Sequence, residues 1–181
     1  MPGVTGLHLT GLAVLVLFLT GACAPGQQAH VQSSPAAPVH TFAGGCAGTV
    51  LTNAEPPLWT QGGFSHTKGT PWGVPWAPGS GGNAVAFVFA RQLVAGTSPR
   101  ADGTNNKVLW VVKGTPTNFV VEGIPPGRTK AVVSVNGGPS IVDVPSPGCW
   151  KFQLTWGAAQ VASTINLDVL PHGSLPPSEP A

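Results

Sequence analysis

Short apolar runs separated by turn residues dominate the second half of the chain. Ala84–Ala90 and Lys107–Val112 are continuous apolar runs of strand length, and the second is apolar on both faces, which predicts a central strand. Residues 150–156 alternate strictly between large apolar and polar side chains, and residues 165–169 repeat this alternation. A period of two is the pattern of a strand that buries one face.

Further apolar segments lie between turn signals. Phe119–Val121 and Ala131–Val135 are separated by Pro125-Pro126-Gly127, and Asn136-Gly137 precedes Ser140–Val144, which predicts a hairpin. Strands at intervals of roughly ten residues, with turns between them, are typical of a β-sandwich. We expect an all-β fold, a single Ig-like antiparallel β-sandwich of about seven strands.

The composition supports this fold class and limits the kinds of partner that we expect. The 181 residues include 25 Gly and 20 Pro, and only 8% are charged, which disfavours a helical bundle. The formal net charge is +2, and the Lys and Arg residues are scattered rather than clustered. This pattern lacks the basic footprint of a nucleic-acid-binding protein, so no nucleic acid partner is expected.

The N-terminus has the pattern of an export signal. Leu12–Leu19 is an unbroken apolar run that is too short to span a bilayer, and it fits the core of a signal peptide. It ends in Leu19-Thr20-Gly21-Ala22-Cys23, which resembles the bacterial lipobox. That resemblance implies a diacylglyceryl group on Cys23 and cleavage before it, and two or more acyl chains suffice for stable membrane anchoring.

One feature departs from a signal peptide. No Lys or Arg precedes Lys68, although such signals usually open with a basic residue. Either the true start lies upstream or export is inefficient. The alternative to lipidation is an ordinary secretory signal in which Cys23 has no role.

We expect four segments along the chain: a lipoprotein signal peptide (1–22), the lipidated cysteine with a flexible tether (23–41), the β-sandwich domain (42–170) and a disordered tail (171–181). Small, polar and proline residues favour the tether and the tail. The anchor would place the domain on the extracytoplasmic face of the cell membrane.

The two remaining cysteines, Cys46 and Cys149, are predicted to form a disulfide, as is usual in an oxidising compartment. With Trp150 in the core, its neighbour Cys149 points away, so the bond would lie on the outer face or at the end of a sheet. The alternative is a redox pair or a set of metal ligands, which no CxxC spacing and no neighbouring His supports.

The stretch from residue 59 to residue 76 is rich in aromatic, Gly and Pro residues and has no regular period. If exposed, Trp59, Phe64, Trp72 and Trp76 would form a platform for sugar rings or hydrophobic ligands. The alternative, favoured by the usual burial of Trp, is that the stretch folds back as a lid over the edge of the sandwich.

Other candidate chemistry is weaker. Residues 102–106 are rich in oxygen atoms and suggest either a Ca²⁺ loop or, more simply, a loop held by Asx-turns. Four histidines follow Cys23 and show no metal-binding spacing: His30, His40, His66 and His172. No cofactor or metal is therefore expected. Ser65 and His66 are adjacent, but no hydrolase motif surrounds them, so we do not expect an enzyme.

Three parts of the chain carry a resemblance to known proteins. They are Val85–Leu93 with its continuation to Asn105–Val111, Ser140–Pro145, and the most specific part, Pro147–Phe152, which contains Pro-Gly-Cys-Trp. Together they resemble small uncharacterised cell-envelope lipoproteins of high-GC, actinobacteria-like bacteria, over about residues 46–170. The resemblance implies a β-sandwich envelope domain and brings no activity and no catalytic residues.

We therefore expect a lipid-anchored envelope lipoprotein that acts as a binding or structural module, with an envelope protein or glycan as its partner. The first alternative is a glycan-binding module, which requires Trp59, Trp72 and Trp76 on one exposed face. The second is a hydrolase, which requires a cleft that brings an aspartate within hydrogen-bond reach of His66.

Overall fold

The computed structural model describes residues 38–67 and 70–176. Eleven strands lie in this part of the chain: β1 Thr41–Phe42, β2 Leu51–Thr52, β3 Trp76–Pro78, β4 Ala84–Val88, β5 Leu93–Val94, β6 Lys107–Val112, β7 Val120–Ile124, β8 Val133–Asn136, β9 Gly138–Ile141, β10 Gly148–Trp156 and β11 Val161–Leu170. Two single-turn 3₁₀ helices are at Leu58–Thr60 and Ser80–Gly82. None of the helices in the described residues is long and apolar enough to cross a membrane.

The strands form two sheets that pack face to face. The six-stranded sheet has the order β1-β2-β3-β4-β6-β9, and the five-stranded sheet has the order β5-β11-β10-β7-β8. Strand β10 lies at the centre of its sheet, where Trp150, Phe152 and Leu154 turn into the core and are at most 1% exposed. The all-β, two-sheet architecture confirms the predicted class, while the Ig-like topology stays a prediction.

The longest apolar and alternating segments of the sequence form interior strands of the sheets. Lys107–Val112 is β6, which lies between β4 and β9, as its two apolar faces predicted. Val108 and Trp110 face the other sheet, whereas Leu109 packs on the opposite, outer face. Because both faces of β6 are covered, its continuous apolar run has a structural reason.

Two details of the predicted sandwich are wrong. The described residues hold eleven strands rather than about seven, because β1, β2, β3 and β5 have only two or three residues and leave no periodic signal. The sandwich is also not wholly antiparallel, since β5 pairs with β11 in parallel.

The hairpin predicted at Asn136-Gly137 is also wrong, because β8 pairs with β7 whereas β9 pairs with β6 in the other sheet. Gly137 makes this crossing possible. Its amide donates to the carbonyl of Phe119, and a Cβ on Gly137 would lie 1.8 Å from the Phe119 ring. The chain therefore changes sheets where only a glycine fits against that ring.

The predicted disulfide is confirmed. Cys46 and Cys149 are bonded, with their Cα atoms 5.8 Å apart. Trp150 is fully buried and Cys149 is only half-buried, so the bond lies away from the core, as the alternation predicted. It joins the segment before β2 to the start of β10.

A buried polar network ties β5 to the connection between β9 and β10. The side chain of Asn106, which is 0% exposed, accepts a hydrogen bond from the amide of Val94 and donates to its carbonyl. The same side chain donates to Asp143. Asp143 also accepts hydrogen bonds from the amide (2.8 Å) and the hydroxyl (2.7 Å) of Ser98.

We expect Ser98→Ala to lower the free energy of unfolding by about 1 to 3 kcal/mol, because hydrogen bonds to a charged, partly buried carboxylate are among the stronger ones. Thr97→Ala removes the neighbouring exposed hydroxyl and is the matched control, with an expected change within about 0.5 kcal/mol. Urea unfolding followed by Trp fluorescence measures both. Equal effects of the two variants would contradict a stabilising role for the network.

Candidate functional site

An aromatic cluster covers the outer face of the six-stranded sheet. We use this name for Trp72, Trp76, Val85 and Phe87, which are all buried. Trp76 and Phe87 are paired across β3 and β4, so both side chains project from the same outer face. This sheet therefore has an apolar side chain layer on both of its faces.

The cluster is covered by the loop of residues 53–67, which we call the aromatic lid. Within it, Phe64 packs edge-on against Trp72 at 5.3 Å between ring centroids and lies 4.7 Å from the ring of Phe87. The ring of His66 stacks on Trp72 at 4.4 Å. The start of the lid is held to the cluster by the amide of Trp72, which donates to the carbonyl of Asn53.

The four residues proposed as a ligand platform are therefore not exposed together. Trp72 is 5% exposed and Trp76 is 8% exposed, whereas Trp59 and Phe64 are half-buried at the margin. Trp76 donates its indole N–H to the carbonyl of Ala54 at 2.7 Å. The lid interpretation fits this geometry, although the lid lies over the outer face of a sheet and not over the edge of the sandwich.

The residues of the hydrolase hypothesis are not brought together. In the described part of the chain, the side chain of His66 makes no hydrogen bond and contacts Trp72. The aspartates are engaged elsewhere: Asp102 with Arg100, Asp143 with Ser98 and Asp168 with Gln92. None of these aspartates is hydrogen-bonded to His66 among the described residues.

The oxygen-rich loop of residues 102–106 is closed by its own hydrogen bonds. Oδ1 of Asp102 accepts the amide of Thr104 at 2.9 Å, which is the predicted Asx-turn. The pKa of Asp102 is lowered, first by that amide, then by the Thr104 hydroxyl and then by Arg100. The guanidinium of Arg100 pairs with Asp102 at 2.7 Å and also donates to the carbonyls of Ala90 and Gln92. This arrangement is that of a structural loop.

A groove lies between two proline-rich loops. It has a volume of about 840 Å³ and is formed by the β7–β8 loop and the β9–β10 connection. Its lining residues are Pro125, Pro126, Arg128, Thr129, Lys130, Ala131, Val132, Pro145, Ser146 and Pro147. We call it the proline groove. Sequence reasoning recognised Pro125-Pro126-Gly127 only as a turn, since nothing in the sequence indicates that residues 145–147 lie opposite it.

The side chains of the proline groove leave two positive charges unpaired. Arg128 and Lys130 are exposed, and neither side chain makes a hydrogen bond or an ion pair with any described residue. Val132 also lines the groove and is 58% exposed. The groove thus offers cationic donors beside an apolar surface, which is suited to an anionic ligand with an apolar part.

A smaller cavity of about 290 Å³ opens where β8 passes to β9. It is lined by Trp110, Pro116, Phe119 and the glycines of the crossing. Trp110 is 1% exposed, and its indole N–H has no hydrogen-bond partner among the described residues. The cavity lies beside the point where the chain changes sheets.

The remaining candidates concern metal binding and the anchor. The described residues contain no group of three or more His, Cys, Asp or Glu side chains placed to hold a metal ion. Cys23 and the whole predicted signal peptide lie outside the described residues.

Comparison of the chain with protein-family models, with curated protein sequences and with solved structures found no match in any of the three.

Proposed function

We propose that this chain is an exported lipoprotein, anchored by lipid on Cys23, that holds a β-sandwich binding module on the extracytoplasmic face of the membrane. The observation that carries the proposal is the segment Leu19-Thr20-Gly21-Ala22-Cys23 after an apolar run of signal-peptide length. Small residues immediately before a cysteine are what a lipoprotein signal peptidase requires for access to the backbone.

The Cys46–Cys149 disulfide supports the same compartment. Disulfides persist in secreted and envelope proteins, whereas cytosolic thiols are kept reduced. The bond closes a loop with a sequence separation of 103, between the first strand region and β10. A domain that depends on such a bond is suited to a compartment outside the cytosol.

The assignment of a binding role is supported by the proline groove. Its two unpaired cations and its exposed Val132 are not explained by the stability of the fold. Concave surfaces lined by apolar side chains and a few polar or charged groups are the usual form of binding sites. The resemblance to envelope lipoproteins favours the same role.

The anchor predicts a specific mass. Expressed in a bacterial host, the full chain is expected in the membrane fraction as a product that begins at Cys23 and carries added acyl mass, because two or more acyl chains hold a protein stably in a bilayer. Intact-mass spectrometry of that fraction measures this directly. Reduction should add the mass of two hydrogens through the Cys46–Cys149 bond.

Cys23→Ala is the matched control, since it removes the acylated thiol and leaves the apolar run intact. This variant is expected to lose the acyl mass and the processed N-terminus at residue 23. A wild-type product that is soluble, or that is cut at another position without lipid, would overturn the proposed anchor.

A further inference from the structure

The start of the described chain and the proline groove lie at the same end of the sandwich, which we call the proximal end. In the five-stranded sheet, β10 begins and β11 ends there, since Gly148 pairs with Val169. β7 also ends there, because Ile124 pairs with Lys151. The β7–β8 loop, which forms one wall of the groove, follows directly.

The corresponding end of the six-stranded sheet also lies at the proximal end. Ile141 at the end of β9 pairs with Lys107 at the start of β6, and the chain then runs through Val144, whose carbonyl accepts the amide of Gly96. The described chain begins beside this end, where the amide of His40 donates to Asn53 at 2.8 Å. The strand register places Thr52, next to Asn53, at the same end as the start of β6. Thr52 pairs with Trp76, Trp76 pairs with Phe87, and the next residue, Val88, pairs with Val108.

Few residues separate the proposed anchor from the domain. About 15 residues separate Cys23 from residue 38. Even fully extended, such a segment spans at most about 50 Å, and a flexible one has a root-mean-square length of about 20 Å. Lipid on Cys23 would therefore keep the proximal end within reach of the membrane headgroups.

We propose that the proline groove docks the proximal end onto anionic phospholipid headgroups of the membrane that holds Cys23, an inference that rests on the proposed lipid anchor. The guanidinium of Arg128 can donate two parallel hydrogen bonds to a phosphate, and the ammonium of Lys130 supplies a second positive charge. The exposed side chain of Val132 contacts the apolar part beneath the headgroup.

The walls of the groove favour a headgroup over an acidic peptide. Four of its residues are prolines, at positions 125, 126, 145 and 147, and proline has no backbone N–H. An extended peptide that adds to a protein surface relies on backbone hydrogen bonds, and four of the ten lining residues have no amide to donate one. A phosphate needs only the side-chain donors that Arg128 and Lys130 provide.

The test uses the mature chain from residue 23 with Cys23→Ala, so that no acyl chain contributes to binding. At low ionic strength and high lipid concentration, we expect more of it to sediment with vesicles of phosphatidylcholine mixed with phosphatidylglycerol than with vesicles of phosphatidylcholine alone. Each cation near an anionic surface contributes about fivefold in affinity, so Arg128→Gln/Lys130→Gln should weaken binding about 30-fold. Added salt should weaken wild-type binding, because screening shortens the reach of surface charges.

Lys113→Gln is the matched control, because Lys113 follows the far end of β6 and is also exposed. It should leave vesicle binding unchanged, whereas Arg128→Gln alone should weaken it about fivefold. Circular dichroism verifies that each variant is folded.

Equal binding to both kinds of vesicle, no binding to either, or an equal loss in Lys113→Gln would overturn the proposal. Binding to poly-glutamate without binding to anionic vesicles would also overturn it, in favour of an acidic protein partner. Because the tested chain has no Cys23, failure here leaves the mass measurement of the anchor unaffected, and the two proposals can fail separately.

Discussion

Without the Cys46–Cys149 bond, the free energy of unfolding is expected to fall by about 2 to 5 kcal/mol. The bond joins residues with a sequence separation of 103, and the chain-entropy model gives about 4.7 kcal/mol for a loop of this size. Most domains are stable by only about 5 to 15 kcal/mol, so this loss is a large share of the total. The physical reason is that the disulfide limits the conformations of the unfolded chain. Without the bond, the conformational entropy of the unfolded state increases.

Urea unfolding of Cys46→Ala/Cys149→Ala, with and without reductant, measures this effect. The wild type should lose stability when reductant is added, and the double variant should be insensitive to it. Cys23→Ala is the matched control and should unfold like the wild type under both conditions. A double variant as stable as the oxidised wild type would show that the bond contributes nothing to stability.

Trp72→Ala is expected to destabilise the domain by about 3 to 5 kcal/mol, the usual cost of removing a buried Trp side chain. Trp72 is 5% exposed and touches Phe64, His66 and Phe87. Its removal leaves a cavity between the aromatic lid and the sheet. The loss should also loosen the lid, because Phe64 packs edge-on against this ring and His66 stacks on it.

Trp59→Ala is the comparison that separates a packing role from a ligand-platform role. Trp59 is half-buried at the margin of the cluster, so its truncation should cost clearly less than that of Trp72. Urea unfolding of both variants, with Trp72→Phe as the conservative substitution, gives the ranking. Small and equal costs for Trp59→Ala and Trp72→Ala, together with fluorescence quenching by oligosaccharides, would instead support an exposed platform.

The surroundings of these two sets of side chains could be predicted from the sequence to different degrees. The pairing of Cys46 with Cys149 was predictable by elimination once Cys23 is assigned to lipid, because these two are the only other cysteines. The burial of Trp72 was only favoured, since a Gly- and Pro-rich stretch without a period does not say which way its rings face.

Strand-length patterns allowed β4, β6, β10 and β11 to be predicted, because each has at least five residues and a buried face that imposes a period or an apolar run. The strands β1, β2, β3 and β5 were missed because they are too short to show such a pattern. Two or three residues held by backbone hydrogen bonds to a neighbour carry no pattern of their own.

Pairing across the sandwich was beyond sequence reasoning as well. Asn136-Gly137 is a strong local turn signal, yet β8 and β9 lie in different sheets, because β9 completes the edge beside β6. Pro139 is tolerated there, since an edge strand does not need every backbone donor. The choice of partner is a long-range decision that local turn chemistry does not make.

The sequence by itself determined the all-β class, the alternation that buries Trp150, the disulfide pair and the expectation of a lipid anchor at Cys23. These follow from local periodicity, composition and elimination among cysteines. Only the tertiary structure decided that the aromatic lid buries Trp72 and that residues 125–132 face residues 145–147 across a groove. Contacts between distant segments depend on how the two sheets pack, and that packing is settled by the whole core rather than by any one stretch of sequence.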